Sequence, residues 1–172
     1  DTLPSFFQSF YELTGNEQWL SIKEKMLAQL DAISSQTKTG LLPDFMWVDE
    51  QGARVADPDT IESKYDGAYS YNACRLPYNL AQSQDKTSQK LGKKMLDFFM
   101  KQRNIYAGYD LKGNALHQYQ AASFIAPVSY AAENGDGYLK LVQQNKFIFM
   151  QDLSTENYYD ATMTTMIALQ LF

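Results

Sequence analysis

The window from Tyr65 to Ala81 concentrates the side chains best suited to chemistry: Asp66, Asn72 and Arg75, interleaved with Tyr65, Tyr69, Tyr71 and Tyr78. An acid, an amide and a guanidinium can hold and polarise a water molecule. Tyrosine presents a flat apolar face with a polar tip, which suits a sugar ring, apolar on its faces and hydroxylated at its rim. The same window also reads as a loop-to-helix junction in which a buried Arg75 is satisfied by its neighbours.

The surrounding pattern is helical. Leu3, Phe6, Phe7, Phe10, Tyr11 and Leu13 recur with helical spacing, and Pro4 suits a first turn. Thr14 and Glu17 match a capping box ahead of a second amphipathic helix that carries Trp19, Leu20, Ile22, Met26, Leu27, Leu30 and Ile33 to about Ser35. Gly40, Pro43, Gly52 and Pro58 then break the pattern from Thr37 to Lys64, leaving room for a short β-hairpin near 41–64. A loop that long inside a helical domain points to function, and it contains Trp47. Further helices are expected from near Tyr71 to Gln82 with Pro77 at its kink or first turn, over Lys86–Arg103 capped by Asp85 or Ser83, over 118–132, over 137–149, and from Glu156 to Phe172 capped by Ser154 or Thr155. The 118–132 segment is rich in small residues, which lets helices approach closely. Aromatic or small-residue helices alternate with charged amphipathic ones. That alternation describes an all-α toroid of helical hairpins, an inner ring wrapped by an outer one and about half of an (α/α)6 barrel.

At 172 residues the chain fits a single domain spanning 1–172. A net charge of −5 and the absence of a basic stripe argue against nucleic acid, and no apolar run is long enough to span a bilayer. One cysteine, Cys74, excludes an internal disulfide, and one histidine, His117, excludes a multi-histidine metal site; no metal or cofactor is expected. His117 and Cys74 themselves read as structural. The chain starts without Met and its last apolar helix ends without a cap, so it is read as a C-terminal fragment of a larger catalytic domain.

Ser70-Tyr71-Asn72-Ala73-Cys74-Arg75-Leu76-Pro77-Tyr78 resembles the Tyr-Asp-Ala-x-Arg-x-Pro-Trp signature of glycoside hydrolase family 8. Leu3–Phe7, Thr39–Phe45, Ser123–Pro127 and Tyr158–Asp160 resemble further stretches of that family, in the same order and over nearly the whole chain. The resemblance implies a six-hairpin glycosidase acting on β-linked polysaccharide (glucan, chitosan, xylan or bacterial exopolysaccharide). Its mechanism would be inverting, with two carboxyl groups ~6.5–9.5 Å apart, one protonating the leaving oxygen and one activating water. The family's acid is a Glu of the N-terminal half, so that half is the implied partner and these residues alone are expected to be inactive. The family's base position is occupied by Asn72, and an amide cannot take a proton from water at neutral pH. Asp66 is the nearest replacement, ahead of Glu62, Asp57 and Asp59, which read as exposed. Arg75, one helical turn from Asn72, would hold the base or a sugar hydroxyl through charge-assisted bonds. Phe6 or Phe7 stands where the family has a Tyr. Tyr65, Tyr69, Tyr71, Tyr78, Tyr158, Tyr159 and Trp47 are the candidate sugar-binding residues. The parent is expected outside the cell, secreted or membrane-anchored.

Asn72 also motivates a rival reading, a catalytically dead carbohydrate-binding or regulatory homologue. A purely structural helical-hairpin protein is a third class, and it predicts no tyrosine-lined cleft.

Overall fold

The apolar spacing produces helices nearly where it predicts them. The computed structural model describes residues 2–172. Helices α1 (Pro4–Thr14) and α2 (Gln18–Ser35) form an antiparallel hairpin. The expected capping box does not form: the Thr14 hydroxyl donates back to the Phe10 carbonyl, and Asn16 accepts from the Gln18 amide instead. The two helices are clasped by Phe7 and Phe10 against Trp19, with ring centroids 6.0 and 5.0 Å apart.

Strands β1 (Met46–Asp49) and β2 (Gly52–Val55) make one antiparallel hairpin, with Met46 opposite Val55 and Trp47 opposite Arg54. A 3-10 turn at Ala73–Arg75 then opens α3 (Leu76–Ala81). Pro77 lies in the first turn of α3, where its missing N–H costs nothing. Helix α4 (Lys86–Phe99) is capped by Asp85, which accepts from the Thr87 and Ser88 amides, and ends before the predicted Arg103. Helix α5 (Ala122–Glu133) starts later than predicted, because 118–121 continue the preceding loop. Helix α6 (Leu139–Asn145) runs into a second 3-10 turn, Lys146–Phe149. Helix α7 (Tyr158–Leu171) is capped by Asn157 rather than by Ser154 or Thr155, although Ser154 braces the approach by accepting from the Glu156 and Asn157 amides.

Helix α5 lies at the centre, packed against α3, α4, α6 and α7. Nine of its side chains are buried, Phe124, Ile125 and Val128 completely or nearly so. Pro127 inside it forfeits one backbone hydrogen bond and costs ~3 kcal/mol. Each buried Phe, Ile or Val returns about 1.5–3 kcal/mol, so packing outweighs the break and the helix persists. The expectation that the aromatic or small-residue helices are the inner, buried ones holds for α3 and α5 and not for the first and last helices. In α1 only Pro4 is buried, and Phe6 and Leu13 are 50% and 83% exposed; α7 ends with Leu169 and Phe172 at 80% and 87% exposed. These two helices flank the array and carry its uncovered apolar faces.

Candidate active site

The site residues are carried by irregular backbone at the N-terminal end of α3, and two aspartates hold that backbone in shape. Asp44 follows the buried Leu41-Leu42-Pro43 segment. Its Oδ1 accepts from the amides of Ser70 (2.9 Å), Asn72 (3.2 Å) and Ala73 (2.7 Å), turning the chain into the 3-10 turn. Asp66 does the same for the preceding loop. Its Oδ2 accepts from the amides of Ile61 (2.6 Å) and Glu62 (3.1 Å), and its Oδ1 from Ser63 (2.9 Å). Asp59, at φ 57°, reverses the chain just before these amides, a conformation that Asp tolerates better than most residues. Gly67 is required beside Asp66, because a Cβ there would run into the carbonyl oxygen of Ala56.

Asp66, the first candidate for the base, is therefore 1% exposed with both oxygens engaged by backbone amides. Burial alone would raise its pKa; the amides of Ile61, Ser63 and Glu62 outweigh burial and hold the carboxyl below its ordinary value. An oxygen so occupied has no lone pair aimed at a water in a cleft. The carboxylate that meets Asn72 is Glu62, exposed as its sequence suggests: the Asn72 Nδ2 donates to its Oε2 at 2.9 Å. Arg75 closes the set, its Nη2 donating to Asn72 Oδ1 and its Nε to the Asn72 carbonyl, both at 3.2 Å. The amide of Asn72 is thus oriented by its partners, oxygen to Arg75 and nitrogen to Glu62. Glu62 is ten residues from Asn72 in sequence, so helical spacing did not point to it. The available signal was chemical, because an Asn held by an Arg needs an acceptor for its NH₂.

The aromatic candidates separate by burial. Tyr69 is fully buried between Phe99 and Phe124, and Tyr78 is buried edge-on to Tyr130 with its phenol accepting from Gln82 and Gln170. Neither ring is open to a sugar. Tyr159 is half-buried, and its phenol donates to the Tyr71 carbonyl at 3.1 Å, which makes it a support for Tyr71. Tyr158 is 85% exposed, and Trp47 lies on the β-hairpin with Arg54 over its ring. Tyr71 is 36% exposed, its ring packed edge-on against Phe124, and it shares a hydrogen bond with Tyr119, phenol to phenol, at 3.1 Å. Burial, followed by the bond to Tyr119, pushes the Tyr71 phenol well above its usual range. Tyr65 meets His117 edge-on at 5.3 Å and takes Lys64 over its ring. Cys74 is buried and its thiol is pushed up to about 12 by that burial, which suits packing and not nucleophilic chemistry. Among the described residues no group of His, Cys, Asp and Glu is arranged to hold a metal ion.

Two of the matched stretches also meet in space: Asp160 accepts from the Ser123 amide at 2.9 Å, placing a carboxylate on the N-terminal end of α5.

The chain resembles known proteins in sequence and in fold. A family model described as Glycosyl hydrolases family 8 matches residues 2–171. The chain is 30% identical over 139 residues to an endoglucanase of Bacillus sp. (strain KSM-330), covering 74% of this chain and 30% of that protein. It is 26% identical over 143 residues to a beta-glucanase of Niallia circulans, covering 77% and 35%. The apo structure of a beta-1,3-1,4-glucanase from Paenibacillus sp. X4 superposes with a TM-score of 0.88 at 22% identity, over 98% of this chain and 47% of that one. The chain therefore spans about a third of the curated relatives it matches and about half of the solved one, and it shares the latter's helical toroid fold.

Proposed function

The chain belongs to glycosyl hydrolases family 8, and from that membership we propose that it supplies the water-activating half of a glycosidase acting on β-linked glucan. The observation that carries the proposal is the relay Arg75–Asn72–Glu62 at the start of α3. In this reading Glu62 is the base. It takes a proton from a water molecule as that water attacks the anomeric carbon from the face opposite the leaving oxygen. Asn72 donates to Glu62 and fixes the direction of its carboxylate, while Arg75 pins Asn72. The substitution that removes the usual aspartate is also what admits Glu62, since two carboxylates at 2.9 Å would repel. Asp66 acts one step back, shaping the loop that presents Glu62.

The general acid, in this proposal, comes from the preceding half of the catalytic domain. That half also covers the exposed apolar faces of α1 and α7, an occupant consistent with the share of the relatives' length that this chain spans. Residues 1–172 alone then hydrolyse nothing. A polymeric substrate does not enter a cell, so the parent acts outside it, secreted or anchored at the surface.

The experiment is to assay reducing-end release by the full-length protein on soluble β-glucan, chitosan and xylan, and to follow the anomer of the first product by NMR. Inversion yields the α-anomer from a β-linkage. A full-length protein that binds β-glucan but releases no reducing ends is a carbohydrate-binding homologue instead.

A further inference from the structure

The loop from residue 100 to 121 lies alongside the Tyr65–Tyr71 segment, joined to it by mutual backbone hydrogen bonds between Tyr69 and Tyr109, 2.9 Å each. Folding back on itself through the Ala107 amide and the Tyr119 carbonyl (2.9 Å), it delivers Tyr119 beside Tyr71. An isolated surface tyrosine is commonplace. This one is braced on two sides. His117 packs at 5.2 Å and 36° to its ring, and Tyr65 stands edge-on behind His117. The Tyr71 phenol moors its hydroxyl end. Half of Tyr119 (51%) nevertheless faces solvent, and it does so next to the residue that precedes Asn72 in the chain.

We propose that Tyr119 is a sugar-stacking platform beside this site, held rigid by His117, Tyr65 and Tyr71, and that it sets the affinity for a glucosyl unit next to the one being cleaved. The inference rests on the glycosidase reading. The physical reason is preorganisation. A ring already fixed by its neighbours loses little rotamer freedom when a pyranose covers its open face, and that exposed aromatic face is apolar surface which a sugar ring can take out of water. The ligand class is a β-linked hexose polymer, whose alternate apolar ring faces match a flat aromatic.

The test uses the full-length protein and steady-state kinetics on soluble β-glucan. For Tyr119→Ala, KM rises about tenfold, the size of one good aromatic contact. The same variant keeps kcat within about twofold, as expected for binding lost equally from ground and transition states. Tyr119→Phe keeps the flat face and its packing on His117 and loses only the bond to Tyr71, so its KM rises by a smaller factor than in the alanine variant, about twofold. Should the alanine variant fail to fold, Tyr119→Leu keeps the bulk without the aromatic face and gives the same rise. An unchanged KM in the alanine or leucine variant, with wild type active, overturns this inference and leaves the glycosidase reading standing. A wild type that neither hydrolyses β-glucan nor is retarded in a β-glucan affinity gel overturns both.

Discussion

Asp44 and Asp66 perform the same structural task with opposite electrostatics. Each accepts three backbone amides in one short segment, and each shapes one partner of the Asn72–Glu62 pair. Asp44 gathers its bonds on a single oxygen, and burial outweighs them, leaving its pKa raised. Asp66 spreads its bonds over both oxygens, and the amides outweigh burial, leaving its pKa lowered.

The comparison can be broken in four ways, taken from the largest expected effect to the smallest. Glu62→Ala in the full-length protein removes the proposed base and lowers kcat on β-glucan by about 10²–10⁴. A loss below tenfold in single-turnover assays would return the base to another residue. Asp66→Asn offers an NH₂ to amides that need an acceptor, so the 57–66 loop shifts and kcat falls about a hundredfold by misplacement of Glu62. Its residual activity keeps the wild-type pH profile, whereas loss of a true base would change the profile's shape.

Asn72→Asp sets a second carboxylate beside Glu62. The pair then shares a proton, and the acid limb of kcat/KM against pH moves upward; an unmoved limb would separate Glu62 from the chemistry.

The smallest effect is on stability, and its sign differs between the two aspartates. Asp66, with its folded pKa below the unfolded value, contributes stability present above the ordinary Asp range and lost as pH falls through the folded value. Asp44, with its folded pKa above the unfolded value, has its favourable contribution below the ordinary Asp range and loses it as pH rises through the folded value. Urea denaturation at about pH 3 and pH 7 should therefore show the deficit of Asp66→Asn shrinking at the lower pH and that of Asp44→Asn growing there. Parallel trends would refute the contrast.

The hairpin helices, the central small-residue helix and the one-turn spacing of Asn72 and Arg75 were legible because they depend on local periodicity and on residue types within one turn. So was the β-hairpin, read from its turn residues. Capping was less legible. Thr14 and Ser154 have the right chemistry, but Asn16 and Asn157 reach the amides first, and that choice turns on a residue or two of backbone path.

Residue type in the Tyr65–Ala81 window determined that an acid, an amide, an arginine and tyrosines would gather at a loop-to-helix junction. Only the tertiary structure decided which acid faces Asn72 and which tyrosines face solvent. Asp66 is nearer in sequence, yet its carboxylate is turned inward by three amides whose directions follow from the fold of the 57–66 loop, and that same turn sends Glu62 outward. Tyr69 and Tyr78 differ from Tyr71 by nothing a residue type records. What differs is how each ring is enclosed: Tyr69 lies between Phe99 and Phe124 and Tyr78 against Tyr130 in the core, whereas Tyr71 rests edge-on against Phe124 and gives its phenol to a loop tyrosine 48 residues away.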